Sequence, residues 1–374
     1  MVGSESGWTG IPIGKSWPDL LRDAYRLVAP KRLVHSLIFL LLASSLVTPG
    51  RAQSPSASSY HVVRQIRLGG DGRWDYLALD TTSNRLFIAR QTRVMVVDPA
   101  SGKLLGEIPG LDGAHGVAFD YGTGHGFASS GRDGKVTMFD LKTLRVLNRA
   151  SAAPDADAIL FDPASRHMFT FNGDAGSASV IDPVSGTAVS QIPLGGKPEY
   201  GVSAGDGKLY VNIEDRGEIA EIDTKNNRVT RRWSLAPCAE PTGLAIDQAH
   251  HRLFSGCHNK VMAISDAAAG QVIATVPIGG GVDGDAFDPG TGLAFASNGE
   301  GSLTVVHEDS PDDFRVVDSV PTSRGARTMT LDPRNHQIYT VTADLGPAPA
   351  PTQQDPHPRS PVVPGTFRLL VLEQ

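Results

Sequence analysis

The sequence predicts an all-β fold, a seven-bladed β-propeller of four-stranded blades closed by the N-terminal strand, and three observations predict it. Short runs with apolar residues at alternate positions, broken by polar turns, fill residues 60–374, which is the pattern of half-buried strands. An aromatic residue returns on the second run of each unit, at Phe87, Phe127, Phe169, Tyr210, Phe254, Phe295 and Tyr339, at intervals of 40 to 44 residues. A period of roughly 40–45 residues is that of a propeller blade. The 41 Gly and 26 Pro among 374 residues suit a turn-rich β-protein, and closed β-structures exceed the length prior that would otherwise suggest two domains.

The elements follow in order. Tyr60–Leu68 is a lone strand ahead of the first anchor. Unit one holds Tyr76–Asp80, Arg85–Ala89, Val94–Asp98 and Leu104–Ile108. Unit two holds Val117–Asp120, Gly126–Ser130, Val136–Asp140 and Arg145–Asn148. Unit three holds Ile159–Asp162, His167–Phe171, Ser179–Asp182 and Ala188–Pro193. Unit four holds Tyr200–Ala204, Lys208–Ile213, Ile219–Asp223 and Arg228–Ser234. Unit five holds Leu244–Asp247, Arg252–Gly256, Lys260–Ile264 and Gln271–Pro277. Unit six holds Ala286–Asp288, Leu293–Ser297, Leu303–His307 and Phe314–Val320. Unit seven has only Thr328–Asp332, Gln337–Thr342 and Phe367–Leu372. Its missing fourth strand and the spare N-terminal one imply that Val62–Leu68 completes the last blade and removes an exposed edge.

The turns agree. Asp stands seven residues before the aromatic in six units, at Asp80, Asp120, Asp162, Asp247, Asp288 and Asp332, and Pro follows at 163, 289 and 333. Asp bonds its own turn backbone and Pro presets φ, so these aspartates read as structural. Unit four has Ser203 there, with the tighter Gly205-Asp206-Gly207 turn.

The repeat resembles the YVTN, or YncE-like, β-propellers. Second strands such as Tyr210-Val211-Asn212, Phe295-Ala296-Ser297-Asn298 and Phe169-Thr170-Phe171-Asn172 carry the resemblance. So do the third strand Val94-Met95-Val96-Val97-Asp98 and the turn Asp182-Pro183-Val184-Ser185-Gly186. It covers about residues 60–374 and implies an exported bacterial propeller. It carries no catalytic motif onto these positions.

The N-terminal residues, 1–59, lack the repeat. Lys31 and Arg32 precede the apolar run Leu33–Val47, and small residues stand at Gly50 and Ala52. A basic region, an apolar run of this length and a small-x-small end describe a secretory signal peptide over residues 1–52, with the true start nearer Val28. The run is short for a membrane span, so none is expected after cleavage. Residues 53–59 read as a linker and 60–374 as the propeller. The expected location is the periplasm or the medium. There an even pair of cysteines, Cys238 and Cys257, is a disulfide candidate, with two buried thiols as the alternative.

In a closed repeat, equivalent positions surround the axis. Counting back twelve residues from each aromatic, and eleven in unit four, gives Asp75, His115, Asp157, Glu199, Thr242, Asp283 and Arg327. Five of these seven are acidic or His, where 40 acidic residues and 11 His in 374 would supply about one. Asp155 and Glu240 lie two residues further up. Second-strand exits add Asn172, Glu214, Asp215, His258, Asn298 and Glu300. Gathered carboxylates either hold a proton or are neutralised by a cation or a basic group. Arg324 and Arg327 are basic groups at this mouth, and Asp157, Glu199 and Asp283 are candidate ligands for a hard cation such as Ca²⁺. Trp74, beside Asp75, is placed to stack on a ligand or to pack between blades. The Pro-rich segment Ala343–Thr366 is the one long insertion in the repeat, and as a second-to-third-strand connection it emerges on the same face.

No C-x-x-C-H, H-E-x-x-H, G-x-S-x-G or P-loop pattern occurs. A net charge of −6 and an acidic ring disfavour nucleic acid. The chain is therefore expected to be a monomer that binds a small ligand or a protein segment at its acidic mouth. A metal-assisted hydrolase of lactonase type, with His115 or a carboxylate activating water, is the alternative.

Overall fold

The computed structural model describes residues 60–353 and 358–374. The expected signal segment and linker, residues 1–59, lie outside the described residues. Among those described, no helix is long and apolar enough to cross a membrane.

The chain opens with β1 (His61–Arg67). The next six strands make one sheet in sequence order: β2 (Leu77–Asp80), β3 (Arg85–Val97), β4 (Leu104–Asp120), β5 (His125–Ser130), β6 (Lys135–Asp140) and β7 (Val146–Ser151). Four-stranded sheets follow. The first holds β8 (Ala156–Asp162), β9 (His167–Asn172), β10 (Ser177–Asp182) and β11 (Thr187–Pro193). The second holds β12 (Pro198–Ser203), β13 (Lys208–Ile213), β14 (Glu218–Asp223) and β15 (Arg228–Ser234). The third holds β16 (Pro241–Asp247), β17 (Arg252–Cys257), β18 (Val261–Asp266) and β19 (Gln271–Pro277). The fourth holds β20 (Val282–Asp288), β21 (Leu293–Asn298), β22 (Ser302–Ser310) and β23 (Asp313–Pro321). The last sheet has the order β1-β26-β25-β24, with β24 (Met329–Asp332), β25 (Gln337–Thr342) and β26 (Arg368–Glu373). In it β1 runs antiparallel to β26, from His61 opposite Glu373 to Arg67 opposite Arg368.

The fold is an all-β propeller, but seven separate four-stranded blades are not what the strands form. Among the described residues there are six sheets, five of four strands and one of six. The difference lies in units one and two, whose strands run on without a break. β3 carries Arg85–Ala89 into Val94–Val97 through Gln91, at a φ of 52°. β4 carries Leu104–Ile108 into Val117–Asp120, the first strand of the next unit. The first strand of each unit touches the next in order: β2 with β4, then β8, β12, β16, β20 and β24, and β24 returns to β2. These strands surround the axis.

Burial between neighbouring sheets holds the ring. All seven aromatic anchors are buried, each worth roughly 1.5–3 kcal/mol against exposure. Tyr339 and Val341 of the last sheet pack with Leu77, Leu86 and Ile88 of the first. Tyr60 meets Phe295 edge-on at 5.2 Å.

The turn aspartates close their own turns. Asp80 accepts from the N–H groups of Thr82 and Ser83, Asp247 from Ala249, Asp288 from Gly290 and Asp332 from Arg334. In unit four the Ser203 hydroxyl takes this role, accepting from Gly205 N–H and donating to Asp162. Cys238 and Cys257 are disulfide-bonded, with α-carbons 5.7 Å apart, and no free cysteine remains. That separation is ordinary for a disulfide.

Candidate functional site

One backbone device, repeated around the axis, positions the ring. In five units the carbonyl two residues before the ring position accepts an N–H from the exit of the second strand. The pairs are Gly131 to Gly113 (2.8 Å), Gly173 to Asp155 (2.9 Å), Glu214 to Lys197 (2.8 Å), His258 to Glu240 (3.2 Å) and Gly299 to Gly281 (2.8 Å). Asp155 and Glu240 adopt φ values of 60° and 52° to make this bend, a region in which Asp is better tolerated than most side chains. The bend aims the next-but-one side chain the same way in these five units. All seven counted positions line a single cavity of about 270 Å³, with Tyr76, Lys197, Glu214 and His258 among its other walls.

Within it, His115 Nδ1 lies 2.6 Å from Asp75 Oδ2 and 3.3 Å from Asp157 Oδ1. Arg327 pairs with Asp283 and, at 3.4 Å, with Asp75. Lys197 bridges Glu199 at 2.8 Å and Glu214 at 2.5 Å. The Thr242 hydroxyl is spent on the Val282 carbonyl. Asp157 Oδ1 is buried and has no hydrogen-bond partner among the described residues. Its contact with His115 is an ion-pair approach without hydrogen-bond geometry.

These surroundings move the titrations. Burial lifts Asp157 to about 7; the charge of His115 opposes this, and Asp75, Asp283 and Asp155 add to it. Burial and the Asp157 charge lift Glu199 to about 8 against the pull of Lys197. Burial also raises Asp283, against Arg327. For His115 burial disfavours the charged ring, but the hydrogen bond to Asp75 and the nearby carboxylates outweigh it and raise it to about 9. Near neutral pH the cavity thus holds carboxyl protons beside an imidazolium.

Not every expected residue joins. Arg324 and Glu240 line neither this cavity nor the neighbouring one; Glu240 is exposed and pairs at 3.1 Å with His258 of the first cavity's wall. Trp74 lines the neighbouring cavity and packs on Phe367 at 5.5 Å. Of the cation ligands expected, Glu199 and Asp283 are already held by Lys197 and Arg327. The atoms that do lie within 4.8 Å of one another belong to Asp75, His115 and Asp157. A second such group, Asp247, His250 and Glu308, forms around the turn at the other end of β16.

The neighbouring cavity, of about 610 Å³, shares Asp75, His115, Asp155, Arg327 and Arg359 with the first, and Arg73 and Arg132 add further positive charge to its wall. The insertion supplies Leu345 and Arg359. Its base is tied by the Leu345–Val362 bridge, and Arg73 donates to the Ser360 carbonyl at 2.6 Å. Fully buried Arg90 holds the loop carrying Arg73 and Trp74. It donates to the carbonyls of Gly69, Asp71, Gly72 and Arg73, and its guanidinium lies over the Phe367 ring. Burial lowers its pKa to about 10.

Arg73, Lys197 and Asp285 are absent from the counted ring. The first two sit two residues above Asp75 and Glu199, the offset of Asp155 and Glu240, so completing that second ring finds them. Asp285, two residues past Asp283 in β20, is half-buried with its Oδ1 out of reach of solvent and unpartnered among the described residues, and burial lifts it to about 8 despite the Gly256 N–H. Its signal is Gly243 and Gly256, where any β-carbon would fall within 2.8 Å of its side chain.

No family model matches the chain. It is 26% identical to the uncharacterized protein YncE of Salmonella typhimurium over 162 residues, which are 41% of this chain and 46% of the relative. The YncE protein of Salmonella typhi is 25% identical over the same length. The chain spans about half the length of these curated relatives. The resemblance to YncE-like propellers read from the repeats is therefore present in direct alignment. Among solved structures, hydrazine synthase of Kuenenia stuttgartiensis superposes with a TM-score of 0.62 at 17% identity, covering 71% of this chain and 91% of that one. U3-55K superposes at 0.66 and 10% identity, covering 84% and 99%. At such identities these structures share the fold alone.

Proposed function

We propose that this YncE-like β-propeller is an exported, monomeric binding protein that holds a small ligand, or a segment of another protein, by a cationic group in the axial cavity. The observation that carries this reading is the set of carboxyls, half-buried Asp157 and buried Glu199 and Asp283, whose pKa values are all raised within one 270 Å³ space. Asp157, whose Oδ1 has no hydrogen-bond partner among the described residues, is the carboxyl that gives up its proton when a cation arrives. In this reading the six-stranded sheet serves as two consecutive blades, giving seven places around the axis, and β1 on β26 closes the ring. Export rests on the signal-like segment over residues 1–52 and on the disulfide, a bond that persists in oxidising compartments.

Calcium and manganese chloride are the probes. Titration calorimetry in two buffers of different ionisation enthalpy, in a His250→Ala background that removes the second cluster, is expected to show saturable binding with proton release. Asp157→Asn/Asp283→Asn is expected to abolish both. Binding without proton release, or unchanged in the double variant, places the cation elsewhere and refutes the reading.

The hydrolase reading is kept for one observation, the mutual 4.8 Å spacing of ligand atoms on Asp75, His115 and Asp157. A divalent metal held there would polarise a lactone carbonyl, and the neighbouring Asp155 would activate water. Elemental analysis of purified protein together with lactone turnover tests it. Metal-free protein that gains no turnover on metal addition ends it.

A further inference from the structure

We infer that the larger cavity beside the axis is an oxyanion site. It would take the carboxylate or phosphate group of a small organic ligand, a proposal that rests on the mouth being a binding site and adds the chemistry of the ligand's other end. Four guanidinium groups, Arg73, Arg132, Arg327 and Arg359, line this one 610 Å³ space. Only Arg327 is tied to buried carboxylates, Asp283 and Asp75. Arg132 meets Asp112 at 3.5 Å in the open, with both side chains about 60% exposed, an arrangement worth little. Arg73 donates to a neutral acceptor, the Ser360 carbonyl. Arg359 has no hydrogen bond or ion pair among the described residues.

These charges oppose one another. The Arg73 guanidinium is pushed below its ordinary range by burial and then by the positive charges of Arg359 and Arg327. Like charges held around a cavity are relieved by an anion, and the planar guanidinium fork matches carboxylate and phosphate oxygens two at a time. The volume lies within the range of small-molecule sites. Trp74 and Leu345 give the wall an apolar side, which suits an organic body rather than a bare ion. The shared wall of Asp75, His115 and Arg327 sets this basic space beside the acidic one. A ligand reaching across it presents an anionic end to the arginines and a cationic end to the carboxyls.

The placement explains the insertion. Residues 343–366 leave the repeat between β25 and β26, and the insertion's Leu345–Val362 bridge sets its base. Arg73 fastens Ser360, and the adjacent Arg359 thereby enters the wall. The segment builds one side of the basic cavity.

The test titrates the full chain with sodium citrate and with sodium phosphate below about 5 mM, where general salting effects are small, against sodium chloride at matched ionic strength. Saturable calorimetric binding of citrate or phosphate, absent for chloride, is expected. The tighter of the two assigns the anion as carboxylate or phosphate. Arg359→Met, at an exposed position, is expected to weaken it roughly tenfold, as for loss of one charge-assisted contact. Arg73→Met/Arg359→Met is expected to abolish it. If neither anion binds more than chloride does, or if both variants bind like the parent, the proposal is overturned. Calcium and manganese titrations of Arg73→Met, at a residue that lines the larger cavity and not the axial one, separate the two readings, because a failed anion site leaves the response at Asp157 and Asp283 intact.

Discussion

The two ends of the inner strands around the axis use the same residue type in opposite ways. At one end, Asp80 and Asp332 close turns; at the other, Asp157 and Asp283 crowd the axis. By contact with water the turn carboxylates are the better hidden, at 3% and 1% exposed against 18% for Asp157. Their pKa values nevertheless fall, while those of the mouth rise. For Asp80 burial is outweighed by Ser83, Arg85 and the turn N–H groups, and for Asp332 the Arg334 guanidinium leads. Asp157 has one ion-pair approach and three acidic neighbours. Burial raises the carboxyls at both ends; at the turns the donors outweigh it, and at the mouth they do not. One end is finished as a structure, and the other is left short of positive charge.

Substitutions sharpen that contrast. The largest effect is expected at Arg327, which neutralises Asp283 and Asp75 together. Arg327→Met leaves buried Asp283 uncompensated and Asp75 with His115 alone, and is expected to destabilise by about 2–3 kcal/mol, below the range for fully buried pairs because the guanidinium is about a third exposed. Urea denaturation measures it, and a loss under about 0.5 kcal/mol would show that the mouth is solvated enough to need no counter-charge. Next comes Asp80→Ala, which strands the Thr82 and Ser83 N–H groups and Arg85; a loss of about 1–2 kcal/mol is expected.

The smallest effect has the opposite sign. The Asp157 pKa is raised in the fold, so the folded state binds more protons there than the unfolded chain, and stability falls as pH rises from the ordinary carboxylate range through about 7. Asp157→Asn is then expected to stabilise the protein by about 1 kcal/mol at pH 8 and to lose that advantage near pH 4. His115, also raised, contributes stability below its ordinary pKa that is lost as pH passes about 9. The parent's melting temperature is expected to decline between pH 6 and pH 9, and a flat profile would contradict the assignments.

The repeat was legible because its signals are local: an aromatic every 40 to 44 residues, an Asp seven before it, and Gly and Pro in the turns. The ring was legible for a related reason. A count from Phe127 or Phe295 reaches the same backbone bend, shared by five units, and the bend fixes where the side chain goes. The join of units one and two was not, because Gln91 and the stretch from Pro109 to Gly113 carry on as strand where turns are expected, and pairing decides that. The partners of the carboxyls were not legible either. Lys197 reaches Glu199 and Glu214 through a long side chain, and Arg359 enters the cavity wall through an insertion with no counterpart elsewhere in the repeat. Asp285 reads as one more Asp in a strand until Gly243 and Gly256 are seen to make room for it.

The central claim is that the axial carboxyls are kept at a loss of stability because they hold a cation, and one pair of denaturation curves tests it most directly. Parent and Asp157→Asn/Asp283→Asn are unfolded in urea at pH 8, both in the His250→Ala background, without and with saturating calcium or manganese chloride. The account predicts a crossing: the double variant is the more stable without the ion, and the parent is the more stable with it, since only the parent gains by binding. A double variant that is less stable than the parent in both conditions, with equal gains from the ion, would contradict it.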